Sequence, residues 1–278
     1  MAVDSSSIVK LVIYPCLAPC ALYCFIKHGR HGILAWFYVQ LFCILRIVSG
    51  GVGLHTTGNP LTSTILNSIG LSPLMLAAAG LLHEVRKICM PDENRRLGLF
   101  LDVKYHGIVA VGMILSIVAV VKLEDGPRNS SATNLSLLKA GMAITATAFG
   151  LLAVWTIVTF LQVNHVTRYS KSELTRAGTT MIYGVFTVLP LIALRLGYGM
   201  SVLLIRVEHP WSSFIRSTAA LTLLEVIPEI LIILVYLVVG LYNRDIKKHL
   251  RVVEREELVV RQATSSKPRN SISLSDRR

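Results

Sequence analysis

An all-α membrane protein, built as a bundle of seven transmembrane helices, is the fold class that composition, hydropathy and charge pattern predict. Of the 278 residues, 53% are hydrophobic and only 16% are charged, whereas a soluble domain has about 25% charged residues. Apolar segments of roughly 20 residues recur, and each could cross the ~30 Å hydrocarbon core of a bilayer. The polar stretches between them are too short to form a separate soluble fold.

Two regions follow from this pattern. Residues 1–243 are expected to form the transmembrane domain, and residues 244–278 a basic cytosolic tail that begins as a short amphipathic helix and ends disordered. The first apolar segment has no basic residues ahead of it and no cleavage site, which indicates a retained helix. The predicted spans cover residues 9–26, 33–53, 61–82, 105–121, 137–163, 181–205 and 219–241.

The distribution of Lys and Arg predicts the orientation. The first, third and fifth loops and the tail are basic, whereas the second loop has no Lys or Arg. Basic loops stay on the cytosolic side, so the N-terminus is luminal or extracellular and the C-terminus cytosolic. The net charge of +12 is therefore a topological signal, and no nucleic-acid partner is expected. Asn129 and Asn134 begin N-glycosylation sequons in the fourth, luminal loop.

Four ionisable residues lie inside the apolar spans and form the candidate site. Glu225 and Glu229 are one helical turn apart in the last span, while Arg46 and Arg195 lie in the second and sixth. Counted at 1.5 Å per residue, all four lie about 9 to 15 Å below the luminal helix ends. Intramembrane charges must be paired or face a cavity, so the two acids and two guanidinium groups are expected to meet.

Three polar residues near this level extend the candidate site: His55, Asn67 and Tyr198. Two interpretations stay open. The charges either fix the helix register by internal ion pairing, or they line a luminal-side pocket in which Arg46 and Arg195 hold the polar head of a lipophilic molecule. In an enzyme, Glu225 or Glu229 would act as the proton donor.

The remaining polar residues in the spans receive simpler assignments. His83 and Glu84, with Asp102, Lys104 and His106, are expected at the cytosolic interface and lack metal-ligand spacing. The five cysteines are expected to be small apolar residues without disulfides. No nucleotide-binding or serine-hydrolase motif is present, so no metal and no cofactor are predicted.

The segments AWFYVQLFCILRIVSGGVGL (35–54), NSIGLSPLMLAAAGLLHE (67–84) and RLGYG (195–199), with the acidic pair of the last helix, resemble a group of uncharacterised fungal seven-helix membrane proteins. The group is similar in layout to fungal lipid-responsive exporters and receptor-like proteins. The resemblance implies a multi-pass protein of the endoplasmic reticulum or plasma membrane. Small fungal membrane proteins of this size sometimes occur beside secondary-metabolite enzymes, some of them as membrane-bound terpene cyclases.

Three functions are compatible with these observations. The first is binding or transport of a lipophilic small molecule in contact with membrane lipid. The second is a membrane-bound cyclase or isomerase of a terpenoid-like intermediate, with Glu225 or Glu229 as acid. The third is a seven-helix receptor whose basic tail contacts a cytosolic partner, an analogy of fold alone.

Overall fold

A computed structural model describes residues 5–29, 32–55, 69–90, 95–125, 131–169, 173–208 and 222–244. Within these ranges the chain is helical and contains no strand. A π-helical turn, Thr222–Val226, leads directly into the last helix. The seven α-helices are α1 Ser5–His28, α2 Ile33–His55, α3 Leu71–Cys89, α4 Arg95–Asp125, α5 Ser131–Tyr169, α6 Glu173–Glu208 and α7 Ile227–Tyr242.

The helical, multi-pass character predicted from the sequence is confirmed. Of the helices in the described ranges, six are long and apolar enough to cross a membrane. The exception is α3, which has 19 residues and carries three charges, on Glu84, Arg86 and Lys87. The outer surface of the bundle is apolar, as expected for a surface that faces lipid. Its most exposed large side chains are Val12, Ile26, Val103, Val154, Leu161, Val238 and Tyr242.

Several helices extend well beyond the predicted spans. Helix α5 has 39 residues and is therefore about 58 Å long, nearly twice the hydrocarbon thickness. The third span was placed too early, because α3 begins at Leu71 and continues to Cys89. Its last turns are polar, so hydropathy alone ended the segment at residue 82. Residues 61–68 and the tail 245–278, with its predicted amphipathic helix, lie outside the described residues.

Helix α3 lies at the centre of the bundle. It contacts α2, α4, α5 and α6, and 17 of its 19 residues are buried. The run Ala77–Ala79 followed by Gly80 lets neighbouring backbones approach closely, as small residues do between membrane helices. A Cβ atom at Gly80 would lie 2.6 Å from the backbone nitrogen of Ala35 on α2. The α2–α3 packing therefore depends on this glycine.

Candidate functional site

Arg46 on α2 lies fully inside the bundle. Its side chain is 0% exposed, and its guanidinium group donates a hydrogen bond to Glu229. The guanidinium carbon also lies 5.2 Å from the centre of the Phe42 ring, within the range of a cation–π contact. Gly70, just before α3, makes room for this group, because a Cβ atom there would lie 2.7 Å from Cζ of Arg46.

Arg195 on α6 reaches both acids. Its Nε donates to Oε1 of Glu229 at 2.8 Å, and its Nη2 lies 3.3 Å from Oε1 of Glu225. The second contact is an ion pair by distance but lacks the alignment of a hydrogen bond, because Oε1 of Glu225 has no hydrogen-bond partner among the described residues. Glu229 is therefore the shared acceptor of two guanidinium groups, and Glu225 is held more loosely.

Glu225 and Glu229 lie where the helix changes from a π-helical turn to an α-helix. Glu225 belongs to the π-helical turn Thr222–Val226, and Glu229 belongs to the first turn of α7. Pro228 lies between them and has no backbone N–H, so it cannot complete an α-helical hydrogen bond to Leu224. Single π-helical turns are frequent at functional sites. Here both carboxyl groups face Arg195, and Glu229 also reaches Arg46.

The predicted meeting of the four charged residues is confirmed. They come from α2, α6 and the last helical segment, and all four are buried. We call Arg46, Arg195, Glu225 and Glu229 the charged cluster. Tyr198, one turn beyond Arg195, is also buried. Asn67 and the side chain of His55 lie outside the described residues, so their placement stays a prediction.

Two residues of α1 were missed at the sequence level. Lys10 is 4% exposed and interacts electrostatically with all four members of the charged cluster. Tyr14, one turn later, packs edge-on against Phe42 with ring centroids 5.7 Å apart. A signal was available, because Lys10 lies inside the first predicted span, where a lone cation needs a partner or a cavity.

Among the described residues around the cluster, the formal charges do not cancel. Lys10, Arg46 and Arg195 supply three positive charges, whereas Glu225 and Glu229 supply two negative charges. Burial makes such an excess unfavourable unless a further anion or water compensates it. Within the site, Oε2 of Glu229 and the hydroxyl of Tyr14 have no hydrogen-bond partner among the described residues. These two atoms could therefore form hydrogen bonds to a bound molecule or to water.

A crevice of about 50 Å³ adjoins the charged cluster. This volume exceeds the requirement of one water molecule several times. Arg195 forms its charged wall, and the remaining described lining is apolar or carries hydroxyl groups. The other lining residues are Leu71, Ser72, Met113, Ser116, Ile117, Met142, Thr145, Leu196, Gly199, Met200 and Leu203.

The two glycosylation residues differ in what the structure describes. Asn129 lies outside the described residues. Asn134 lies in the first turns of α5, is buried, and donates from its side-chain amide to the carbonyl of Lys122 at 3.2 Å. A glycan would occupy this same nitrogen, so modification of Asn134 requires the start of α5 to open. Glycosylation of either residue stays a prediction.

Glu84 has a fully buried side chain, because His28 of α1 provides a partner that the local sequence does not reveal. Its level at the cytosolic interface stays a prediction. His83 instead turns to Asp102 of α4 and forms an ion pair, while His106 bonds to a carbonyl of its own helix. Within the described ranges, no three His, Cys, Asp or Glu side chains gather as metal ligands.

Comparisons with other proteins place the chain at the level of a family. Neither the curated proteins nor the solved structures contain a match. The model of one family, described as a domain of unknown function, DUF7702, matches residues 2–246. Because this match covers nearly the whole chain, the protein belongs to the DUF7702 family.

Proposed function

We propose that this protein binds a lipophilic small molecule through an acidic head group at the charged cluster, as a carrier of that molecule in the membrane. The observation that supports this proposal most is the buried excess of positive charge around Arg46, Arg195 and Lys10. Guanidinium groups hold carboxylates and phosphates by paired, charge-assisted hydrogen bonds. An acidic head would balance the excess of positive charge among the described residues.

The crevice offers a route to this position. It is lined mainly by methionine and aliphatic side chains and ends at Arg195. Its volume of about 50 Å³ suits a head group, whereas complete ligand pockets usually measure ~300 Å³ or more. The apolar part of the ligand would therefore extend between the helices toward lipid. Methionine side chains adapt readily to such a guest.

The pairing of the acids favours binding over acid catalysis. Glu229 accepts contacts from both Arg46 and Arg195, so it serves as their counter-ion rather than as a proton donor. Glu225 has one contact at 3.3 Å, which makes it the carboxylate that an entering acidic head would displace. Exchange of one carboxylate for another leaves the number of ion pairs at Arg195 unchanged.

The proposal includes an orientation and a setting. With the N-terminus luminal or extracellular, the charged cluster lies in the luminal half of the endoplasmic reticulum or plasma membrane. A fungal secondary-metabolite pathway is the proposed source of the ligand, and an acidic terpenoid or polyketide has the required chemistry. A biosynthetic enzyme encoded beside this chain would support that setting.

Binding of a dansyl-labelled medium-chain fatty acid to the full chain in lipid nanodiscs tests the function. Saturable fluorescence enhancement is expected for the acid and not for its methyl ester, which lacks the charge. The double variant Arg195→Gln/Glu225→Gln removes one charge pair and should weaken binding about ten- to a hundredfold, the worth of one charged hydrogen bond.

The matched control is Arg176→Gln, which removes an exposed cation from the same helix. Its affinity for the probe should equal that of the wild type, and thermal unfolding verifies that each variant is folded. Equal affinity for acid and ester, or unchanged affinity in a folded double variant, would contradict the proposal. Conversion of the probe into a new product would point to the enzyme instead.

A further inference from the structure

A second buried polar group lies at the opposite end of the bundle and joins three helices. His28, at the end of α1, has Nδ1 2.8 Å from Oε1 of Glu84 on α3. Its Nε2 lies 3.0 Å from the backbone carbonyl oxygen of Gly240 on α7. The side chains of His28 and Glu84 are both inaccessible to solvent. The proposed function does not use either residue.

The two contacts determine how many protons the pair holds. A carbonyl oxygen only accepts, so Nε2 of His28 must carry a proton. The contact at 2.8 Å between Nδ1 and the carboxyl oxygen needs another proton, on either the ring or the acid. Together His28 and Glu84 therefore hold two protons. In water at neutral pH the same two side chains hold about one.

Among the described residues, few ionisable groups face His28 and Glu84. Glu84 is the acid that faces His28 from α3, the Gly240 carbonyl faces it from α7, and from α2 the Trp36 ring lies 4.7 Å away between centroids. Along α1, the neighbouring Lys27 is exposed and lies over the Tyr23 ring. The charges on α3 and α4 nearby, His83 and Asp102, are paired with each other.

The described residues around His28 and Glu84 are closely packed. A Cβ atom at Gly32 would lie 2.7 Å from Oε2 of Glu84, and one at Gly240 would overlap the Trp36 ring. Among the described residues, Oε2 of Glu84 has no hydrogen-bond partner. Loss of one proton would thus leave the Nδ1 lone pair against a carboxylate, and the described residues supply no second donor to that carboxylate.

We propose that His28 and Glu84 form a proton-binding site that locks α1 to α3 and α7 when it is loaded. The ligand is a proton, and the geometry described here is that of the loaded state. When the proton is released, the carboxylate of Glu84 faces the lone pair of Nδ1 and the two repel each other. The hydrogen bond from His28 on α1 to the carbonyl of Gly240 then weakens. Glu229 lies 11 residues before Gly240 on the same helix, about 16 Å away, so the site acts on the helix that carries the charged cluster.

Thermal unfolding of the full chain in nanodiscs, measured between about pH 6 and about pH 9, tests this site across the range where histidine titrates. The unfolding midpoint of the wild type should fall by a few degrees as pH rises. In Glu84→Gln the amide donates to Nδ1 while neutral His28 still donates to Gly240, so both contacts persist without the extra proton. The unfolding midpoint of this variant should not change with pH.

His106→Gln is the control, because His106 bonds only to its own helix among the described contacts; it should retain the wild-type pH dependence. If the unfolding midpoints of the wild type and of Glu84→Gln depend on pH in the same way, the proposal is overturned. If that variant does not fold, amide exchange of the wild type decides. Corrected for intrinsic rates, exchange at 24–28 and 236–242 should accelerate with pH relative to α5, and uniform protection would overturn the site.

Discussion

At the scale of single residues, the unequal roles of the two glutamates are the main result. Glu229 joins α2 to α6 through Arg46 and Arg195, whereas Glu225 has one misaligned contact to Arg195. A buried charge that loses its partner is far more costly than a loosely paired one. The order of their contributions to stability is therefore set by geometry, although both are glutamates in an apolar helix.

Removal of Glu229 should accordingly be the more damaging change. Glu229→Ala removes the buried carboxylate that Arg46 and Arg195 share, which should destabilise the protein by about 3–5 kcal/mol. Glu225→Ala should cost clearly less, because it breaks a single contact. Unfolding midpoints in nanodiscs measure both. Equal losses would mean that Glu225 carries a second interaction of similar strength.

At the scale of elements, α3 organises the bundle. Among the seven described α-helices it is the one that does not qualify as a membrane span, yet 17 of its 19 residues are buried and it contacts α2, α4, α5 and α6. Membrane helices gain little from hydrophobic burial against one another, so close backbone approach and polar contacts must hold them together. The Ala77–Gly80 stretch supplies the approach, and Glu84 supplies a polar contact.

A pair of identical substitutions tests the close approach of α3. Gly80→Ala brings a methyl group against the backbone of Ala35, which cannot move aside as a side chain can, and should cost about 1–3 kcal/mol. Gly150→Ala in α5 meets no atom within 4 Å and should be neutral or gain up to ~1 kcal/mol of helix propensity. Thermal unfolding compares them, and a neutral Gly80→Ala would refute this view of the packing.

At the scale of the whole molecule, the polarity of the bundle is arranged for a bilayer. Apolar side chains cover its outside, whereas the described interior contains the charged cluster at one end and His28 with Glu84 at the other. Helix α7 carries Glu229 of the charged cluster, and the carbonyl of Gly240 on the same helix accepts a hydrogen bond from His28. Under the proposed carrier function, the two groups would allow control at both ends of the bundle.

The predicted orientation has a direct test at this scale. A glycosylation acceptor tag fused to the N-terminus should be modified in microsomes, while the same tag on the C-terminus should not, because basic loops retain the C-terminal side in the cytosol. Glycosidase digestion reads out the mass shift. Modification of the C-terminal tag would reverse the orientation and would place the charged cluster in the cytosolic half.

The amino-acid pattern was sufficient for the helical membrane class, most helix positions and the meeting of the charged cluster. These properties depend on hydropathy along the chain and on the cost of unpaired charge in lipid, both of which act locally. The sequence also contained the signal for Lys10, a cation inside an apolar span, although its place beside Arg46 depends on how α1 packs on α2.

Only the tertiary structure decided the central position of α3, the burial of Glu84 and the unequal pairing of the two glutamates. Each depends on partners that are distant in sequence: His28 is 56 residues from Glu84, and Arg46 is 183 residues from Glu229. Local hydropathy describes how a segment meets lipid, but it carries no information on which side chain another helix brings to it. That choice is made by the packing of small residues between helices.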